Sequence, residues 1–100
     1  KIQILVIGRN PDIVQTVVRL INNYPAWNAT HALTNDEAIH HFETRIFNLV
    51  LFGGGIEPES DALLRQAFTS RDRNITIIQH YGGGSGLLAT EINMALASLQ

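Results

Sequence analysis

The chain has 100 residues, a formal net charge of -2, 45% hydrophobic and 16% charged residues, and no cysteine. That length suits a single domain with one core. The charge balance gives no electrostatic case for nucleic acid. The lack of cysteine excludes disulfides and thiolate zinc sites, and no apolar run approaches the ~20 residues that span a bilayer. The expected setting is cytoplasmic, and so sparse a set of charges suits a surface that meets a partner.

Residues 2–7 form an apolar, β-branched run broken only by Gln3, which predicts a strand buried on both faces. Asn10-Pro11 is a helix start, a cap followed by a first-turn proline. Ile13, Val14, Val17, Val18 and Ile21 then recur at helical spacing. Asn22-Asn23-Tyr24-Pro25 ends that helix. Residues 27–33 alternate, with Trp27, Ala29, His31 and Leu33 on one side, as an edge strand does. Thr34 and Glu37 have capping-box spacing, and Ala38, Ile39, Phe42 and Ile46 continue as a helical stripe. Residues 47–52 predict the third strand. Glu57, Pro58 and Glu59 open the third helix, where acidic residues suit the positive end of the dipole. Leu63, Leu64, Ala67 and Phe68 are its expected core face. A polar loop, 70–74, leads to a fourth strand at 75–79. Ser85 or Gly86 caps a last helix carrying Leu88, Ile92, Ala95, Leu96 and Leu99.

The order is βαβαβαβα over a single domain, 1–100. Strict alternation predicts an α/β fold: a flavodoxin-like, three-layer αβα sandwich with a four-stranded parallel sheet of order 2-1-3-4. In that order the loops after the first, third and fourth strands meet at one rim, the usual place for a ligand.

Six of the eight glycines lie in two triplets on that rim, Gly53-Gly54-Gly55 and Gly82-Gly83-Gly84, the second running on into Ser85-Gly86. Such clusters mark backbone that turns sharply or lies close to something. The candidate ligand residues are Arg9, Asn10, Gly53, Gly54, Gly55, His80, Gly82, Gly83, Gly84, Ser85 and Gly86. Free N–H groups where the last helix begins attract an anion, and Arg9 adds positive charge. The second triplet lacks the Lys-Ser/Thr of a Walker A loop, and no Gly-x-Gly-x-x-Gly follows the first strand. His80 and Ser85 share a loop, which keeps a small hydrolase open as an alternative. A nucleophile elbow, however, needs glycine where Leu87 stands, and Glu57 is the nearest carboxylate to orient His80. His31, His40 and His41 have no metal-ligand spacing. Tyr24 and Trp27 read as packing, and Arg71-Asp72-Arg73 as a solvated loop.

Ile4-Leu5-Val6-Ile7-Gly8-Arg9-Asn10-Pro11 resembles the opening of response-regulator receiver domains, and Asn48-Leu49-Val50-Leu51-Phe52-Gly53 resembles their third strand, with Pro58 near the family's proline. The resemblance covers roughly residues 1–81. It implies a signalling module and a set of phosphorylation residues, which this sequence lacks position by position. Gly8 and Arg9 stand where the family's acidic pair holds Mg²⁺. Gly53 stands at the phospho-acceptor aspartate, and the switch Ser/Thr falls at His80 or Tyr81. The late lysine has no counterpart, and the chain is one strand and one helix shorter than a full receiver. The expectation is a receiver-like regulatory module that is not phosphorylated, is not an enzyme and uses no cofactor or metal. It acts through a protein partner, itself as a homodimer included, and the fourth strand is an edge that a second chain could cover. A small anion- or nucleotide-binding protein is the alternative.

Overall fold

A computed structural model describes residues 1–80 and 88–97. Tyr81, Gly82, Gly83, Gly84, Ser85, Gly86, Leu87 and residues 98–100 lie outside the described residues. So do the expected helix cap at Ser85 or Gly86, the switch position at Tyr81, and Leu99. In chain order the elements are β1 (Ile2–Ile7), α1 (Pro11–Asn22), β2 (Trp27–Ala32), α2 (Asn35–Thr44), β3 (Leu49–Phe52), α3 (Pro58–Arg71), β4 (Thr76–Gln79) and α4 (Leu88–Ala97). The strands form one parallel sheet of order β2-β1-β3-β4, as the alternation predicts.

The central strands carry the apolar runs because both their faces are covered. In β1, Ile4 and Val6 face one core cluster and Leu5 and Ile7 the other. In β3, Leu49 and Leu51 divide from Val50 and Phe52 in the same way. Gln3 interrupts the run where the sheet begins. Its N–H donates to Asn48 Oδ1 (2.8 Å), its carbonyl accepts from Asn48 N–H (2.8 Å), and its side chain accepts from Asn28 Nδ2 (2.9 Å). Asn48 is thereby a bracket below β3, which starts at Leu49 and not at Phe47.

Local chemistry starts the helices. The Asn10 side chain accepts from Asp12 N–H and Ile13 N–H at the head of α1. Thr34 and Glu37 form both halves of the capping box at α2. Three residues of the expected apolar stripes fall outside the core: Ile46, past the end of α2, is 87% exposed, Leu63 is 49% exposed because α3 turns only Leu64 and Phe68 fully inward, and Ile13 is exposed at the head of α1.

α1 and α4 pack on one face of the sheet through Val14, Val17, Ile21, Leu88, Ile92 and Ala95. α2 and α3 pack on the other through Ala38, Phe42, Leu64 and Phe68. Right-handed crossovers dictate the first three placements. The chain moves outward from β1 to β2, then reverses through β3 to β4, so α1 lies opposite α2 and α3. The reversal opens a switch point at the carboxyl ends of β1 and β3. Among the described residues no helix is long and apolar enough to cross a membrane.

Candidate functional site

The rim at the switch point is built from the residues that end three strands. Gly8 N–H donates to Ala32 O (3.1 Å), Gly53 N–H to Ile7 O (2.7 Å), and His80 N–H to Phe52 O (2.8 Å), so each loop leaves the sheet from a fixed position. Gln79 adds a clamp, its Nε2 donating to the carbonyls of Phe52 and Gly53 at 3.2 Å each.

The glycines do different work. A Cβ on Gly8 would come within 2.7 Å of Val14 Cγ2, so α1 can close on β1 only over glycine. A Cβ on Gly53 would lie 3.3 Å from Ile7 O, a tight fit. Gly55 has φ +83, which favours glycine for its backbone alone. Gly54 meets nothing within 4 Å and is open to the rim.

Arg9 reaches away from the open rim into a ring of side chains. Its Nη1 donates to Leu33 O (3.0 Å), its Nη2 to Asn35 Oδ1 (2.6 Å) and its Nε to Glu57 Oε1 (3.3 Å). Asn35 Nδ2 donates to Ser60 Oγ (3.0 Å), and Ser60 Oγ–H donates to Glu57 Oε2 (3.0 Å). The circuit Arg9–Asn35–Ser60–Glu57 closes on itself with every donor facing an acceptor. It joins the end of β1 to the heads of α2 and α3. Arg9, first, and Ser60, second, hold the Glu57 carboxyl below its ordinary range. Asn35 and Ser60 gave no sign of this in the sequence, although the Glu57–Ser60 spacing of three suits a helix-start hydrogen bond.

Glu57 therefore does not orient His80. That carboxylate is Glu91 of α4, whose Oε1 lies 2.7 Å from His80 Nδ1, with the imidazole almost fully buried. Glu91 lies eleven residues beyond His80, on a helix that returns over the α1 face. No local spacing announces such a pair.

Next to His80 a cavity of about 630 Å³ opens between α1 and the strand ends. Val6, Ile13, Val14, Val17 and Leu51 supply its apolar walls, and Gly53, Gly54 and Gly55 its rim. Asn10 lines the mouth, but its side-chain oxygen is committed to capping α1. The structure thus brings Arg9, Asn10, Gly53, Gly54, Gly55 and His80 around one opening. The remaining expected ligand residues, 82–86, lie outside the described residues.

A divalent cation does not fit the described side chains at this rim. Magnesium takes oxygen ligands, usually with one or two carboxylates. Gly8 and Gly53 have no side chain, Arg9 is itself a cation, and the nearby Glu57 carboxylate is bonded to Arg9 and Ser60. Among the described residues no three acidic, histidine or cysteine side chains are grouped to hold a metal. Away from the rim, the Tyr24 and Trp27 rings meet at 4.5 Å, tilted by 36°, with Trp27 buried and Tyr24 exposed over it. His40 and His41 stand 6.2 Å apart on α2, and burial, then Arg45, lowers the His41 pKa.

No family model and no curated protein matches the sequence. Solved structures do. The N-terminal domain of a response regulator/sensory box/GGDEF three-domain protein from Carboxydothermus hydrogenoformans aligns with a TM-score of 0.72 at 18% identity, over 97% of this chain and 95% of that one. A response regulator receiver protein from Pseudomonas putida aligns at 0.69 and 18% identity, over 95% and 79%. A response regulator from Thermotoga maritima, solved with Mg²⁺ and BeF, aligns at 0.69 and 17% identity, over 95% and 81%. At such identities the likeness is one of fold: four alternating strands and helices laid out as in receiver domains.

Proposed function

We propose that this receiver-fold protein is a signalling module that accepts no phosphoryl group and acts through protein contacts, a second copy of itself included. The Arg9 ring is the observation that carries the reading. Phosphoryl transfer to a carboxylate needs that carboxylate as nucleophile and a cation for the phosphoryl oxygens. By the resemblance, Gly53 stands at the nucleophile's position, and the cation beside it is Arg9, bonded to three protein acceptors. A charge fixed by the chain holds the loops at the heads of α2 and α3, so their arrangement does not wait on phosphorylation. Signalling then depends on which surfaces meet a partner. No catalytic step is assigned, and the working compartment is the cytoplasm.

The test is an amide NMR titration with Mg²⁺ and then beryllofluoride, a phosphoryl mimic. The expected outcome is no saturable shift at Gly8, Arg9 or Gly53. A saturable shift confined to those amides would overturn the reading.

The cavity supports a second reading, a small anion or nucleotide bound at the rim. Its volume lies within the usual range for small-molecule sites, roughly 300–1,000 Å³. Titration with phosphate and with nucleotides separates the two readings. Shifts at Gly53, Gly54 and Gly55 would favour the ligand, and silence at millimolar concentration would dismiss it.

A further inference from the structure

The cavity between α1 and the strand ends lies where two rows of apolar side chains stop. On the α1 face of the sheet, β1 presents Ile4 and Val6, and β3 presents Leu49 and Leu51. Every second residue of a strand shares a face, so the rows continue in Gly8 and Gly53. These two glycines are neighbours, since a Cβ on Gly53 would lie 3.8 Å from Gly8 Cα. Neither sends a side chain over the strand ends. Val14 takes up the room at Gly8, and the space beyond it stays open as the cavity of about 630 Å³.

Its walls are apolar, whereas the polar side chains around the opening are engaged with the protein. Arg9 gives Nε to Glu57, Nη1 to Leu33 and Nη2 to Asn35. Asn10 Oδ1 caps α1, and His80 Nδ1 meets Glu91. Among the described residues no buried side-chain nitrogen or oxygen lacks a partner. An anion that entered would shed its water beside Val6, Val14, Val17 and Leu51 and find the one lining guanidinium already bonded, which is costly. Water gains little there either, because apolar walls offer it few hydrogen bonds; cavities of that kind take apolar molecules instead.

The mouth has the same character. Ile13 lines it from the first turn of α1 and is 40% exposed, so an apolar body that enters covers it. Polar groups come from the rim backbone at Gly53, Gly54 and Gly55, where Gly54 faces open space. Small-molecule sites commonly combine apolar walls with a few polar groups that set orientation.

We propose that the cavity takes a small neutral molecule, its aromatic or branched-aliphatic body against α1 and the ends of β1 and β3, and a single polar end at the glycine rim. The proposal rests on the second reading above, a ligand site at the rim, and replaces the anion with a neutral, largely apolar ligand.

The test uses benzyl alcohol, a phenyl body with one hydroxyl end, titrated to millimolar concentration into the unaltered protein and followed by methyl and amide NMR. Inorganic phosphate is titrated in parallel. The expected result is saturable shifts from benzyl alcohol at the methyl groups of Val14, Val17 and Leu51 and at the Gly54 amide, and none from phosphate. Ile13→Asp should weaken benzyl alcohol about tenfold by removing apolar wall and placing a charge at the mouth. The first turn of a helix favours an acidic residue, so this variant keeps its fold. Leu63→Asp makes the same kind of change at an exposed residue of α3, on the other face of the sheet, and should leave the affinity unchanged. Saturable shifts from phosphate at Gly53, Gly54 and Gly55 with none from benzyl alcohol would overturn the inference and leave the ligand site standing. Silence from both probes would overturn the two together. Benzyl alcohol binding that Leu63→Asp weakens as much as Ile13→Asp does would overturn the inference alone.

Discussion

Arg9 leaves β1 one residue after Gly8 and is bonded to Leu33, Asn35 and Glu57, which lie 24, 26 and 48 residues along the chain. As a residue type at a strand end it was legible in the sequence. Its partners were not, because nothing in local spacing encodes contacts of that range. Arg9→Lys should lower the melting temperature nearly as much as Arg9→Ala, since a compact ammonium cannot reproduce the guanidinium's planar set of donors. Thermal unfolding of the two variants measures this. The glycines separate in the same assay. Gly8→Ala forces a methyl group against Val14 and should cost about 1–3 kcal/mol, the usual range for overpacking. Gly54→Ala meets open space at an ordinary φ and should stabilise by about 0.4–1 kcal/mol through the unfolded chain. The sequence marked Gly53, Gly54 and Gly55 as one cluster. Only their surroundings distinguish the tight Gly53, the free Gly54 and the left-handed Gly55.

α2 is the element whose beginning is most completely written in local chemistry. Thr34 accepts from Glu37 N–H, and Glu37 accepts from the N–H groups of Leu33 and Thr34. Thr34→Ala should cost about 1 kcal/mol, the usual worth of such a cap. The Leu33 N–H is the largest cause holding the Glu37 carboxyl below its ordinary value. A carboxyl depressed in the folded state stabilises the fold above its unfolded pKa, and that contribution is lost as pH falls through the folded value. Glu57, depressed by Arg9, acts with the same sign. Stability should therefore decline as pH drops through and below the ordinary carboxylate range, and Glu37→Gln should flatten that slope in denaturant titrations at stepped pH. Cap spacing and apolar periodicity were legible because they are local. The late start of β3 was not, because the Asn48 bracket depends on Gln3, 45 residues away. Ile46 and Leu63 kept the helical period yet missed the core, because α2 ends at Thr44 and α3 turns Leu63 to its flank.

At the scale of the molecule, the strand order follows from the alternation of elements, and the rim follows from the strand order. The position of α4 does not. It returns to the α1 face and brings Glu91 to His80. A helix there leaves the outer side of β4 without a strand among the described residues. A further parallel strand beside β4, reached through a helix on that face, would need a left-handed crossover, which sheets almost never use. One domain thus combines an outer strand, β4, that has no neighbouring strand on its far side among the described residues with a rim whose Arg9 charge is tied up internally. The central claim is that the rim takes no phosphoryl group. Intact-mass measurement after incubation with acetyl phosphate and Mg²⁺ tests it most directly. The account predicts the unmodified mass throughout, and a hydroxylamine-labile adduct of one phosphoryl group would contradict it.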